Sequence, residues 1–158
     1  MNIVLRDPGL SLKWSHNFVL GFTDTETVML DFDNVDLDKV KDWARKSMSF
    51  FKLGGFIILR SSKNSFHVIF DRTVSWSENL SIVGRIVLMT HHRLLQRWHL
   101  MQCIKQSMTI RVSPKGDKSG PWIVFREGRQ NEQIVGFLSY RKLIIDIMLQ
   151  LDSKVMAN

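Results

Sequence analysis

Runs of apolar residues with two different periods follow one another along the chain and predict an alternation of strands and helices. Short β-branched and apolar runs are typical of strands, and they cover 18–22, 27–33, 56–61, 65–70, 108–113 and 122–125. Apolar residues three or four positions apart are typical of helices that face a core, and they cover 36–51, 77–105 and 138–151. The order ββαββαββα predicts an α+β fold, with a largely antiparallel sheet covered on one side by helices.

Turn and capping residues refine these boundaries. Asn34 or Asp36 can cap the first helix at its N-terminus, and Gly54–Gly55 is expected to end it. The polar run 62–64 between two β-rich runs predicts a tight antiparallel hairpin. The second helical segment allows a break near Thr90.

The composition predicts one globular domain over 1–158. Apolar residues make up 44% and charged residues 23% of the chain, which is an ordinary globular balance. The one cysteine, Cys103, excludes an internal disulfide. The first residues lack the pattern of a signal peptide, and no apolar run is long enough to cross a bilayer, so we expect a cytoplasmic protein without membrane contact.

The charge of the chain favours polyanionic partners. The net charge is +7. Acidic residues concentrate in 24–42, whereas Arg, Lys and His concentrate in 85–118. Such a basic surface attracts DNA, RNA, nucleotides or acidic lipid without choosing among them, and the histidines at 91, 92 and 99 are expected on helix surfaces that contact a nucleic-acid backbone. The alternative is a basic protein whose charge serves solubility alone.

Asp31 and Asp33 form the first candidate site, at the end of a predicted strand. Residues i and i+2 of a strand point to the same face, so these carboxylates lie side by side while Phe32 points to the other layer. Mg²⁺ or Mn²⁺ relieves the repulsion between such carboxylates and completes its coordination with water and phosphate oxygens. The pattern predicts a metal site for phosphoryl transfer, with a simple turn and helix cap at Asp33–Asn34 as the alternative.

His67 and the polar residues of the predicted hairpin form a second candidate cluster. His67 and Ser65 share one face of the return strand. Arg60 and Lys63 belong to a group of donors around the turn that suits a triphosphate. The alternative is an exposed hairpin tip whose polarity has no function.

The strand predicted at 108–113 carries a further polar row. Thr109, Arg111 and Ser113 share one face of it, and Lys115 lies just beyond. This row either faces phosphates or is only a solvent-facing surface.

In chain order, Asp31-Phe32-Asp33, Ser65-Phe66-His67 and the strand 109–113 resemble the archaeo-eukaryotic primase superfamily, particularly the minimal primase-polymerase domains of archaeal plasmids and viruses. In that superfamily a DxD or DxE motif holds catalytic divalent metals, an SxH motif binds the phosphates of the incoming nucleotide, and a third strand supplies a further acid. Its fold joins an α/β module to an RRM-like one.

The resemblance implies a nucleotidyltransferase that acts in the DNA replication of a mobile element by two-metal phosphoryl transfer. Asp31 and Asp33 would hold Mg²⁺ or Mn²⁺, and His67 would join them in the catalytic site. The nucleoside triphosphate would be bound by His67 and by basic or polar residues, namely Arg60, Lys63, Ser65, Arg111 and Lys115. DNA or RNA would be the polymeric partner.

Arg111 stands where the resemblance expects a third acid, and the nearest carboxylate downstream is Asp117. A second hypothesis is therefore a non-catalytic DNA- or RNA-binding module of the same fold. A third hypothesis is a protein-interaction role, because the chain has five tryptophans that can anchor interfaces or pack in the core, at positions 14, 43, 76, 98 and 122.

Overall fold

The computed structural model describes residues 19–156. In chain order its elements are β1 (Gly21–Asp24), β2 (Thr27–Asp33), α1 (Leu37–Phe51), β3 (Gly55–Ser62), β4 (Ser65–Thr73), α2 (Trp76–Thr90), α3 (Arg93–Lys105), β5 (Met108–Arg111), β6 (Trp122–Gly128) and α4 (Gln133–Met156). The predicted order is confirmed, and the segment 77–105 breaks at His91, whose backbone has φ 50°. The predicted first strand begins later, at Gly21, and Phe18 lies outside the described residues.

The strands form two antiparallel sheets. The larger has the order β2-β4-β3-β6, and the smaller pairs β1 with β5. Every neighbouring pair is antiparallel, so the predicted α+β fold with antiparallel sheets is confirmed. Because β4 lies between β2 and β3, both motif-bearing segments of the chain meet in adjacent strands.

The two faces of the larger sheet carry different side chains. Phe32 and Phe66 are paired on one face, where Trp43 of α1 stacks on Phe32 with ring centroids 5.4 Å apart. Asp31 and His67 are paired on the opposite face, because side chains alternate along each strand. Asp71 lies on the same face of β4 as His67 and accepts a hydrogen bond from the start of α4, so the prediction of helices on one side only is wrong.

Asp71 of β4 is the reason that α4 begins at Gln133 and not at the predicted residue 138. Its buried carboxylate accepts hydrogen bonds of 2.9–3.0 Å from backbone N–H groups that precede or open the helix, those of Asn131, Glu132 and Ile134. Arg129 Nε donates to the same carboxylate. The cap of α4 therefore comes from another strand, and the local sequence does not display it.

The first helix is capped as predicted at its start but not at its end. The Asp36 side chain accepts a hydrogen bond from the Lys39 backbone N–H, which confirms the predicted N-cap. Lys52, in the left-handed conformation with φ 54°, ends the helix. Gly55 instead allows the backbone at Arg129 to approach closely, because a Cβ at residue 55 would lie 1.9 Å from the Arg129 carbonyl oxygen.

The tryptophans of the described residues are not exposed anchors. Trp43, Trp76 and Trp98 pack against the core, and Trp122 is half-buried in β6. Trp14 lies outside the described residues. Among the helices of residues 19–156, none combines the length and the apolar character that a bilayer-spanning helix requires.

Candidate functional site

The carboxylates of Asp31 and Asp33 and the imidazole of His67 meet at one end of the larger sheet. Asp31 lies directly opposite His67 in the register of β2 and β4, with 3.4 Å between Asp31 Oδ1 and His67 Nε2. Asp33 lies opposite Ser65, and the intervening Phe32 is fully buried on the other face. Strand alternation predicted this placement of the two carboxylates.

These residues line a pocket of about 340 Å³ whose opposite wall is basic. The wall is formed by the end of β5 and the loop after it, which contribute Arg111, Lys115 and Lys118. Ser61 and Ser62, at the end of β3, also line the pocket. The pocket is therefore polar and carries two carboxylates that face three cationic side chains.

The guanidinium of Arg111 is held by backbone carbonyl groups. Its Nη1 donates to the carbonyl oxygens of Ser113 and Ser119 at 2.6 and 3.2 Å, and its Nη2 donates to that of Ser61 at 2.7 Å. These bonds join β5 and its loop to β3, although β5 belongs to the other sheet. Arg111 forms no ion pair with Asp31 within 4.0 Å, so its positive charge is fixed in position without neutralising the carboxylates by direct contact.

The two lysines of the basic wall are brought together by a tight turn. The backbone N–H of each residue donates to the carbonyl oxygen of the other at 3.0 Å, between Lys115 and Lys118. Gly116 occupies the left-handed region of this turn with φ 59°. Both ammonium groups are exposed, so they can move to meet an anion in the pocket.

Burial perturbs the titration of the paired acid and base. The pKa of Asp31 is raised to about 7, first by burial and secondly by the neighbouring Asp33 charge, while Arg111 opposes both effects. Burial also lowers the pKa of His67 to about 3, with a smaller contribution from Arg111. Near neutral pH, His67 is therefore uncharged and Asp31 is close to its midpoint. The buried Nδ1 of His67 has no hydrogen-bond partner among the described residues.

The remaining predicted residues lie outside the pocket lining. Arg60 is on the opposite face of β3, with its guanidinium carbon 5.1 Å from the Phe66 ring centroid. Lys63 is exposed in the hairpin turn, and Ser65 is buried opposite Asp33. The predicted cluster of hairpin donors is thus divided between two faces. A β-bulge between Arg60 and Ser62 causes this division, and the sequence pattern alone does not reveal it.

Two further residues shape the site and were not assigned to it from the sequence. Lys118 belongs to the basic wall, and the signal for it was the turn-forming Gly116 between two lysines. His92 was expected on a helix surface, but its Nε2 lies 2.8 Å from the carbonyl oxygen of Asp33 and its ring packs near Phe32. It ties the α2–α3 junction to the end of β2.

The carboxylate pair fits a divalent cation that keeps water and phosphate ligands. The pKa of Asp31 is raised first by its own burial and secondly by the charge of the exposed Asp33, and a cation bound between the two would offset that repulsion. Within residues 19–156, however, no three His, Cys, Asp or Glu side chains form a metal-binding group. Coordination through one or two carboxylates, with water and phosphate oxygens as the other ligands, is a common mode of binding for Mg²⁺ and does not need three such side chains.

Comparisons with known proteins do not identify a family. No protein-family model matches the chain, and no curated protein or solved structure matches it. The function is therefore argued from the chemistry of the pocket.

Proposed function

We propose that the pocket binds a nucleoside triphosphate together with Mg²⁺ or Mn²⁺, and that the protein is a primase-polymerase-like nucleotidyltransferase. It would act in the cytoplasm, in the DNA replication of a mobile element, on DNA or RNA. The observation that carries the proposal is one polar pocket in which Asp31 and Asp33 face Arg111, Lys115 and Lys118. A metal-bound triphosphate has the matching charges, since its cation suits the carboxylates and its phosphates suit the basic wall.

Asp31 and Asp33 hold the cation in this proposal. Their side chains are adjacent on one strand, and Asp31 loses its proton more readily once a cation offsets the burial and the repulsion that raise its pKa. When bound, the cation supplies stabilisation of the charge on the transferred phosphoryl group. His67, uncharged and 3.4 Å from Asp31 Oδ1, positions that carboxylate.

Arg111, Lys115 and Lys118 bind the phosphates. Arg111 is the preorganised member, because three carbonyl oxygens fix its guanidinium before any ligand arrives. The lysines act as mobile point charges on the turn above it. Arg60 and Lys63 have no part in this binding mode, because neither lines the pocket.

A second candidate function is a non-catalytic DNA- or RNA-binding module of the same architecture. It is favoured by Arg111, which occupies the strand where the resemblance expects a third acid. Such a module would bind an oligonucleotide through its basic residues whether or not metal is present.

Calorimetric titration of Mn²⁺, with and without a nucleoside triphosphate, tests the proposal. The wild-type protein is compared with Asp31→Ala/Asp33→Ala and with the matched control Asp38→Asn/Asp146→Asn, which removes two exposed carboxylates elsewhere. We expect triphosphate binding that requires Mn²⁺, persists in the control and is lost in the pocket variant. Primer extension by the wild type then tests nucleotidyl transfer itself.

The opposite results decide against the enzyme. Absence of Mn²⁺-dependent triphosphate binding by the wild type would overturn the proposed site. Oligonucleotide binding that weakens with salt and is indifferent to Mn²⁺ would, in that case, identify the second candidate.

A further inference from the structure

Three hollows lie on the surface of α1, α2 and α3, and together we name them the helix strip. The first two lie between α1 and α2, share Phe50 and Met89, and have volumes of about 520 and 290 Å³. The third, of about 380 Å³, lies at the α2–α3 junction and includes Leu88 and His92. Since His92 Nε2 is 2.8 Å from the Asp33 carbonyl oxygen, the third hollow adjoins the end of β2, on the face of the sheet that carries Phe32.

An exposed aromatic ring stands in the middle of the first two hollows. Phe50 is 70% exposed, and its ring meets Phe51 edge-on with centroids 4.8 Å apart. Exposing a phenyl ring to water is unfavourable, and the edge-on contact with Phe51 leaves most of the Phe50 ring uncovered. A flat aromatic ligand such as a nucleobase can stack on the free side of this ring.

The charge of the strip selects the kind of ligand. None of the residues that line the three hollows is acidic, and the basic ones are Arg45, Lys46, Arg85 and Arg93. Arg45 and Lys46 are already engaged in ion pairs with carboxylates. Arg85 and Arg93 are exposed and form no ion pair with any other described residue, so their charge is available to a polyanion.

We propose that the helix strip binds a single-stranded nucleic acid and leads it towards the pocket at Asp31 and Asp33. Phe50 stacks on a base, and Arg85 and Arg93 contact phosphates on either side of it. Alternating exposed aromatic and basic side chains are the usual means by which proteins hold single strands without reading their sequence. The proposal rests on the proposed function, because the strand in the strip is the one on which the pocket would act.

The same charge argues against the other occupants of such a surface. In a symmetric dimer the strip would meet its own copy and place Arg85 and Arg93 against like charges at short range. An apolar helix of a partner protein would cover Phe50 but would desolvate the two arginines without giving them acceptors. A single strand can cover Phe50 with a base and give the two arginines phosphate acceptors, since each nucleotide carries a base and a phosphate.

Fluorescence anisotropy with a labelled oligothymidylate, recorded in EDTA without nucleotide, tests the strip separately from the pocket. We expect Phe50→Ala to weaken binding about 5- to 100-fold, as for the loss of one stacked base, and Phe50→Trp to retain it. The control Leu143→Ala removes a comparably exposed apolar side chain from α4 and should not alter the affinity.

Charge reversal supplies the second arm of the test. Arg85→Glu/Arg93→Glu should lower the slope of log affinity against log salt by about 0.7 for each lost phosphate contact. Lys105→Glu/Lys142→Glu makes the same change in net charge at exposed residues outside the hollows, and it should weaken binding far less. Equal losses in both double variants, or equal affinities for Phe50→Ala and wild type, would overturn the strip as the binding surface.

The two proposals fail in different ways. Wild-type protein that binds Mn²⁺ and triphosphate but not the oligonucleotide would refute the strip alone. Oligonucleotide binding that depends on Phe50, in a protein that binds no Mn²⁺ or triphosphate, would refute the proposed function while leaving the strip as a single-strand binding site. Dimerisation that is abolished by Phe50→Ala, without oligonucleotide binding, would assign the surface to a second copy of the chain.

Discussion

Replacement of Asp31 by asparagine should stabilise the folded protein at neutral and alkaline pH. The carboxyl has an ordinary pKa of 3.8 in the unfolded chain and about 7 in the fold, chiefly because of burial and secondly because of Asp33. Between these values the unfolded state releases the proton and the folded state retains it. Stability therefore falls as the pH rises through this window, at about 1.4 kcal/mol per pH unit. Asparagine has nearly the same shape and does not titrate.

The size of the effect follows from the width of that window. Across this pH window the free energy of unfolding of the wild type falls by roughly 4 kcal/mol in total, and the fall is complete above pH 7. The free energy of unfolding of Asp31→Asn should exceed that of the wild type by about 2–4 kcal/mol more at pH 8 than at pH 4. The contribution of His67 is common to both proteins, so the comparison removes it to first order.

Urea unfolding followed by circular dichroism at pH 4, 6 and 8 measures this difference. The control is Asp38→Asn, because the Asp38 side chain is 96% exposed and its removal should leave the pH dependence unchanged. Addition of Mn²⁺ at a concentration 100 times its dissociation constant should raise the free energy of unfolding of the wild type by about 2.7 kcal/mol and leave that of Asp31→Asn unchanged. A difference between the two proteins that is the same at pH 4 and pH 8 would refute the reasoning from burial.

Three other changes have defined outcomes. Asp71→Ala should cost roughly 3 kcal/mol in urea unfolding at pH 7, because three backbone N–H groups, the buried one of Ile134 among them, lose their acceptor. Burial alone would raise the pKa of Asp71, but its hydrogen bonds lower it overall, so this cost should persist above pH 4 and disappear as the pH falls further. Arg111→Gln should raise the pKa of Asp31, which carbon NMR of the carboxyl can follow; an unchanged or lower midpoint would contradict the assigned charge effect. Gly55→Ala should lower the melting temperature strongly, whereas Gly136→Ala, with open space at its Cβ, should leave it unchanged or raise it.

The elements that follow from local sequence were predicted with nearly correct limits. The strand at 27–33 was found where its β-branched and apolar run placed it, and Asp36 caps α1 through its own side chain. Elements whose limits depend on distant residues were predicted less well. The N-terminus of α4 is stabilised by Asp71 from β4, and β1 pairs with β5 at the far end of the basic segment.

In the candidate site, too, the features that depend on one strand were predicted, and those that depend on the pairing of strands were not. Alternation of side chains within one strand was enough to place Asp31 and Asp33 on the same face of β2. The same alternation placed Ser65 and His67, which are also two positions apart, on the same face of β4. The face of the sheet that carries Arg60 depends on the register of β3 and β4 and on a bulge, and the sequence pattern did not predict it.

The sequence by itself determined which segments form strands and helices, and which side chains share a face within a strand, because the period of side-chain directions is a local property of the backbone. Only the tertiary structure decided that Arg111, Lys115 and Lys118 stand opposite the two carboxylates. That arrangement depends on the pairing of distant strands, which is selected by the burial of the whole core and by the hydrogen bonds of Arg111 to three backbone carbonyls. Neither the burial of the whole core nor the hydrogen bonds of Arg111 can be inferred from any one segment of the chain.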